Sequence, residues 1–357
     1  MKNKLNIKIK AAIAALMITT CFYACKKDYS SPTGPTSIYN IAQTNLVADN
    51  ASFNAAFTDP NLVNAWGISI STGGGIWISS NAKGVSTVYD KTGKTLLAAV
   101  AIPSATAGKA GSPTGQVFNS TTDFAGSKFI FAGTDGTITA WTSGTTAVKV
   151  ADRSTNGAEY TGLAMASNGG ANFLYAANFK GSRIDVFDKT FTFVSTSSFT
   201  DPNMPAGFAP FNIVNIGGQL YVSYAKQLAP ANVFDVKGTG NGYVDVFNAD
   251  GTFVNRFASQ GTLNSPWGMA LAPAGFADSS PSILVANFGD GRINIFDLQG
   301  NAKGQLQNNG QVITIDGLWA IDFLKNNVAG GSPTDPLYFT AGPGGEAHGL
   351  FGSLQVH

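Results

Sequence analysis

The chain has 357 residues, with 22 basic and 21 acidic side chains, 44% hydrophobic composition and two cysteines. The charges almost balance, and no run of Lys or Arg lies beyond the N-terminal segment, which argues against nucleic acid as a partner. Both cysteines, Cys21 and Cys25, fall in the first 25 residues. The rest of the chain therefore has no disulfide, thiol nucleophile or cysteine metal site.

The N-terminal segment predicts an export signal. Four lysines precede an apolar run, Ala11 to Ala24, which is too short to span a bilayer and fits a secretory signal. Its end, Phe22-Tyr23-Ala24-Cys25, resembles the lipobox of bacterial lipoproteins. We expect residues 1–24 to be removed and Cys25 to carry lipid. Residues 25–37 would then tether the domain to the cell envelope, at the outer membrane. An ordinary cleaved signal and an uncleaved anchor are the alternatives.

From residue 65 onward the chain repeats one unit six times. The openings of the six units are AWGISI (65–70), PTGQVF (113–118), YTGLAM (160–165), PFNIVN (210–215), PWGMAL (266–271) and LWAIDF (318–323). A second β-rich run follows each opening, and a turn then leads to a third, such as RIDVFD (183–188) or RINIFD (292–297). A short polar turn opens a fourth strand in the first five units.

Four short strands at a period of about 50 residues are typical of a β-propeller blade. The sequence therefore predicts an all-β, six-bladed propeller over residues 38–357, with four-stranded antiparallel blades. The sixth unit ends after its third strand. We expect NIAQTNLVAD (40–49) to pair as its outer strand, which closes the ring and covers an open sheet edge.

The units resemble NHL-type propeller repeats. More narrowly, DPNLVNAWGI (59–68), GNGYVDVFNADG (240–251), SPWGMALAP (265–273) and TAGPGGEAHGLFG (340–352) resemble an uncharacterised family of exported bacterial propeller proteins, some of which carry a PEP-CTERM sorting tail. This chain ends in GSLQVH without that tail. The resemblance implies a six-bladed fold and export, and it implies no established activity.

Long insertions and recurrent polar residues are predicted to share one face of the ring, where loops on a rigid scaffold can bind. The long loop of the fourth unit makes Lys226 and Asp235 candidate contact residues. Recurring oxygen-bearing side chains are candidate Ca²⁺ ligands at the axis, as in lactonase-like and phosphotriesterase-like propellers, and these are Asn81, Asp135, Asn178 and Asn287. The alternative is that they stabilise tight turns.

Two further groups carry possible chemistry. Glu346 and His348 are two residues apart in a Gly-rich loop, where they offer an acid–base pair or merely order the loop. The tryptophans that open three units, Trp66, Trp267 and Trp319, offer an aromatic floor for sugars or peptides, or else pack between blades.

The sequence favours a monomeric, membrane-anchored, non-catalytic scaffold that binds a protein, peptide or glycan on the insertion-rich face. The near absence of His and the sparse charge support this interpretation. The alternatives are a Ca²⁺-dependent lactonase-like or phosphotriesterase-like hydrolase and a purely structural envelope protein.

Overall fold

Six four-stranded antiparallel sheets follow one another along the chain and form the blades of a propeller. The structure is a computed structural model, and it describes residues 40–194, 199–323 and 331–357. The predicted signal (1–24), Cys25 and the predicted tether (25–37) lie outside the described residues. Among the residues described, no helix has the length and hydropathy needed to cross a membrane.

Two strands precede the first blade, and they are β1 (Ile41–Ala48) and β2 (Phe57–Thr58). Blade 1 comprises β3 (Ala65–Ile70), β4 (Ile76–Ser80), β5 (Val85–Tyr89) and β6 (Thr95–Ala101). Blade 2 comprises β7 (Pro113–Phe118), β8 (Phe129–Gly133), β9 (Thr137–Trp141) and β10 (Val148–Asp152). Blade 3 comprises β11 (Tyr160–Asn168), β12 (Ala171–Asn178), β13 (Arg183–Phe187) and β14 (Phe193–Val194).

Blade 4 comprises β15 (Phe208–Ile216), β16 (Gln219–Lys226), β17 (Gly242–Phe247) and β18 (Phe253–Ser259). Blade 5 comprises β19 (Pro266–Ala272), β20 (Ser282–Asn287), β21 (Ile293–Asp297) and β22 (Ala302–Gln305). A small hairpin follows, made of β23 (Gln307–Asn308) and β24 (Gln311–Val312). The last strands are β25 (Leu318–Phe323), β26 (Leu337–Ala341) and β27 (Leu350–Val356).

The predicted closure of the ring is confirmed. Strand β1 pairs antiparallel with β27, with Ile41 opposite Val356 and Ala48 opposite Leu350. Blade 6 therefore has the order β1-β27-β26-β25, and β2 adds a short parallel pair at the outer edge. Ile41, Val47 and Ala48 are fully buried, so β1 contributes to the core as well as covering the edge of β27.

The glycine at the third position of four openings has a steric cause. The innermost strands converge at the axis, and a Cβ on Gly67 would collide with the carbonyl oxygen of Thr114 in the next blade. A Cβ on Gly115 would likewise collide with the backbone of Leu163. Each innermost strand also has an irregular register near its start. Short openings with a central Gly are thus typical of strands that meet around an axis.

Candidate functional site

The axis of the ring has two different ends. We call the upper face the side where the innermost strands begin and where the turns between second and third strands lie. The lower face is the side where the innermost strands end. The predicted insertions at 103–112, 201–210 and 226–242 belong to the upper face.

The three tryptophans meet at the axis and close its upper end. Trp66 stacks on Trp319 with ring centroids 3.8 Å apart, and Phe288 also stacks on Trp319, at 3.7 Å. Trp267 and Phe211 pack edge-on or tilted beside them, at 5.8 and 5.9 Å from Trp319. We call these five residues the axial plug.

The rings of the axial plug are buried, and the three tryptophans are 1–7% exposed. Their predicted role as an exposed floor for sugars or peptides is therefore not what the structure shows; they pack between blades. The indole of Trp267 donates to the carbonyl oxygen of Thr161 at 3.0 Å, and that of Trp319 donates to Asn64 Oδ1 at 3.0 Å. These bonds fix two rings of the plug to other blades of the propeller.

The long loop of blade 4 reaches over the axial plug. The ammonium of Lys237 lies 3.9 Å from the centroid of the Phe288 ring, a cation–π contact. Asp235 of the same loop is partly buried, and desolvation raises the pKa of its carboxyl. Lys226 is exposed at the end of β16, and its carbonyl oxygen accepts from Val236 N at 2.7 Å. The loop therefore covers the upper end of the axis.

Glu346 and His348 do not form the predicted acid–base pair, because each has a different partner. Glu346 Oε2 accepts from Asn64 Nδ2 at 2.7 Å, and burial raises the pKa of its carboxyl. His348 Nδ1 lies 2.9 Å from Asp49 Oδ2, and its ring packs edge-on against Phe53. Both residues order the loop that follows β26, and His348 ties it to the chain that follows β1.

The candidate Ca²⁺ ligands are each engaged in a turn. Asp135 Oδ2 accepts from Ala105 N at 2.7 Å, and Asn178 Oδ1 accepts from Gly181 N at 3.0 Å. Asn287 Oδ1 accepts from Asn264 N at 3.1 Å, and Asn81 Nδ2 donates to the carbonyl oxygen of Pro113 at 3.2 Å. The Asn178 bond closes its own turn, and the other three bonds tie a turn to a neighbouring segment of the chain. In the part of the chain that is described, no group of three His, Cys, Asp or Glu side chains could hold a metal ion.

A cavity of about 560 Å³ lies below the axial plug and opens toward the lower face. All six innermost strands line it, together with the turn Gly217–Gly218 of blade 4 and Thr72 of blade 1. Trp267 of the plug is also part of its wall. Ligand sites commonly have volumes of roughly 300–1,000 Å³, so this cavity is large enough for a small molecule.

One side of the cavity carries polar atoms that lack a partner. Asp322 of β25, Ser69 of β3 and Gln116 of β7 line it on three consecutive blades. Asp322 Oδ1, Ser69 Oγ and Gln116 Oε1 are buried, and none has a hydrogen-bond partner in the protein. Ser69 and Gln116 are each 6% exposed. We call these three residues the polar arc, and unpaired buried polar groups of this kind are costly.

Burial in this wall raises the pKa of Asp322 to about 8, because the charged carboxylate would lose its solvation by water. The backbone N–H of Phe323 offsets only part of that effect. At neutral pH most molecules therefore hold Asp322 as the neutral acid. Asp322 is not among the site residues predicted from sequence, although it is acidic where the other openings have small or apolar residues, namely Ser69, Val117, Ala164, Val214 and Ala270.

The opposite side of the cavity is mostly apolar, although Asn212 and Asn215 of blade 4 also line it. Blades 3, 4 and 5 supply aliphatic and thioether side chains there, and these are Leu163, Met165, Ile213, Val214 and Met269. We call these five apolar residues the apolar half of the cavity, and they lie on the blades opposite the polar arc.

No family model matches the chain. An uncharacterized protein of Acanthamoeba polyphaga mimivirus is 33% identical over 342 residues, which cover 91% of this chain and 82% of the relative. A second uncharacterized protein of the same virus is 34% identical over 344 residues, which cover 91% of this chain and 89% of the relative.

Three solved structures are similar in fold alone. A structural genomics protein of unknown function from Bacteroides thetaiotaomicron has a TM-score of 0.55 and 12% identity, over 89% of this chain and 77% of that one. Virginiamycin B lyase from Staphylococcus aureus has a TM-score of 0.52 and 12% identity, over 89% of this chain and 100% of the lyase. A gluconolactonase from Xanthomonas campestris has a TM-score of 0.50 and 14% identity, over 83% of this chain and 87% of the gluconolactonase.

The sequence relatives are viral, and they give no support to a bacterial origin or to the PEP-CTERM association. Those two parts of the resemblance stay predictions, whereas the propeller fold is confirmed. The chain therefore belongs to the same family as the two uncharacterized mimivirus proteins, and its structure is a six-bladed β-propeller.

Proposed function

We propose that the protein is a binding propeller that holds a small molecule in the axial cavity on its lower face. The observation that carries this proposal is the polar arc, because three residues that line one cavity of ligand size each have a buried polar atom without a partner in the protein. In natural proteins such groups are normally satisfied, and a bound molecule would supply the missing partners. This site replaces the insertion-rich upper face as the preferred location, since the blade-4 loop covers the plug there.

Binding is favoured over hydrolysis. A Ca²⁺-dependent hydrolase needs several oxygen ligands that converge on the ion, whereas Asn81, Asp135, Asn178 and Asn287 are each engaged in a turn. The likeness to a gluconolactonase and to a lyase is one of fold, and fold does not imply function. The cavity itself presents one titratable side chain, Asp322, among its described lining residues.

Filling the cavity is expected to abolish binding. A panel of uncharged, cationic and anionic aromatic fragments would be screened against the parent by saturation-transfer NMR. Val214→Trp places an indole in the apolar half of the cavity and should remove the signals of the fragments that bind there. Val148→Trp is the matched control, because Val148 is 65% exposed on the outer strand β10.

Circular dichroism would establish that both tryptophan variants fold. The proposal is contradicted when no fragment binds the parent, or when the fragments that bind are unaffected by Val214→Trp.

We also propose, from residues 1–37 alone, that lipid on Cys25 anchors the protein to the cell envelope. Cys25→Ala should move the protein from the membrane fraction to the soluble fraction, because the acyl chains supply the membrane affinity. Cys21→Ala is the matched control, since Cys21 lies inside the predicted signal. Immunoblots of fractionated cells measure the partition, and an unchanged partition of Cys25→Ala would argue against lipidation.

A further inference from the structure

The described residues that line the cavity can supply negative charge but no positive charge. Among the described lining residues, Asp322 is the single ionisable side chain, and none is Lys, Arg or His. A bound anion would lose its water without gaining a counter-ion, which is strongly unfavourable in a partly closed site. A bound cation would instead find a carboxyl group. The electrostatics of the cavity therefore discriminate against acids and in favour of bases.

When Asp322 is ionised, two of the three unpaired atoms of the polar arc can only accept hydrogen bonds. The amide Nε2 of Gln116 donates to the carbonyl oxygens of Gly67, at 3.0 Å, and of Trp77. This orientation is fixed by the network, because a flipped amide would direct its oxygen at two carbonyl oxygens. Gln116 Oε1 can therefore only accept, as can an ionised Asp322, while the hydroxyl of Ser69 can accept or donate. A matching ligand presents several hydrogen-bond donors to this arc.

An ammonium group meets both requirements, since it carries positive charge and three N–H donors. The apolar half of the cavity, formed by Leu163, Met165, Ile213, Val214 and Met269, would receive a hydrocarbon or aromatic body. A ligand of this shape would place its charged end on blades 6, 1 and 2 and its apolar end on blades 3, 4 and 5.

We propose that the cavity binds a small amphiphilic amine, with its ammonium on the polar arc and its apolar body against the opposite wall. This inference rests on the proposed function and names the ligand class of the same cavity. The amine forms an ion pair with Asp322 and hydrogen bonds with Gln116 and Ser69. Binding therefore ionises Asp322 and releases its proton to solvent.

On the described strands that pack against β25, no other carboxyl can account for the released proton. The strands packed against β25 are β3, β19, β20 and β26, and together they contain one titratable residue, Tyr338. Tyr338 stands opposite Asp322 in the register, and its hydroxyl donates to the carbonyl oxygen of Lys91 at 3.3 Å. The proton released on binding is thus assigned to Asp322.

Three probes of matched shape test the charge preference, namely phenethylamine, 2-phenylethanol and phenylacetate. Isothermal titration at pH 7 should show that phenethylamine binds at least tenfold more tightly than 2-phenylethanol, and that phenylacetate binds most weakly. Repeating the amine titration in buffers of different ionisation enthalpy should show release of most of one proton, with none released by the alcohol.

Asp322→Asn should remove both the amine preference and the proton release, so that phenethylamine then binds no more tightly than 2-phenylethanol. Asp316→Asn is the matched control, because Asp316 is exposed and outside the cavity lining. Equal affinities for the amine and the alcohol, or a preference that survives Asp322→Asn, would overturn the inference. If none of the three probes binds but other fragments bind in a way that Val214→Trp abolishes, only the amine inference fails; if no fragment binds, the proposed function fails with it.

Discussion

Deletion of residues 38–49 is expected to lower the free energy of unfolding by about 5 kcal/mol or more. Strand β1 buries Ile41, Leu46 and Val47, and each fully buried aliphatic side chain contributes roughly 1.5–3 kcal/mol. The deletion also exposes the edge of β27, whose backbone groups β1 now pairs. Since a whole domain is stable by only about 5–15 kcal/mol, the open ring should be close to unfolding at 25 °C.

Urea denaturation followed by tryptophan fluorescence measures this loss. Two single substitutions test whether the buried side chains of β1 cause the loss. Leu46→Ala truncates a buried leucine of β1, whereas Leu97→Ala truncates a leucine of β6 that is 46% exposed. Leu46→Ala should cost about 2–5 kcal/mol, and Leu97→Ala should cost much less. A deletion variant with the parent's denaturation midpoint would refute the role of β1 in closing the ring.

Asp322→Asn is expected to stabilise the protein increasingly as the pH rises from about 4 to about 8. Burial raises the pKa of Asp322 from 3.8 to about 8, so in this window the folded state keeps a proton that the unfolded state has lost. The free energy of unfolding of the parent therefore falls as the pH rises, until the carboxyl is ionised in both the folded and the unfolded state. Below pH 4 the carboxyl is neutral in both the folded and the unfolded state, so it no longer makes stability depend on pH.

Each unit of pKa difference corresponds to about 1.4 kcal/mol. Because water in the cavity screens the carboxylate, we count half of the rise in the pKa of Asp322, which corresponds to about 3 kcal/mol. We expect the stability difference between Asp322→Asn and the parent to grow by about that amount from pH 4 to pH 8 in urea titrations. The exposed Asp316→Asn should show no comparable growth. A difference between Asp322→Asn and the parent that stays constant over this range would mean that Asp322 is ionised already at low pH.

Much of the fold could be predicted because its causes are local in sequence. The central Gly of AWGISI and PTGQVF is required by the close approach of strands at the axis, and it recurs wherever that approach recurs. The closure by β1 could be predicted because the sixth unit visibly lacks a strand. A motif that repeats along the sequence therefore predicts a structural unit that repeats in the fold.

The site was harder to predict because it depends on which blades meet. Trp66, Trp267 and Trp319 recur at one position, but only the closed ring shows that their rings converge on each other and become buried. Nearness in sequence was misleading for Glu346 and His348, since a positive φ of 71° at Glu346 turns the chain between them. Asp322 is the single acidic residue of an otherwise apolar strand, and only the cavity beside it shows that this residue can contact a ligand.

The pairing of Ile41 with Val356 also has a consequence for how the chain reaches its native state. Ribosomal synthesis delivers β1 before every blade and β27 after nearly the whole chain, so β1 must wait unpaired while five blades assemble. Closing so long a loop is entropically expensive and makes the final step slow relative to local hairpins. The nascent chain therefore spends its synthesis with an apolar strand exposed, which is the interval when aggregation or capture by a chaperone can compete with folding.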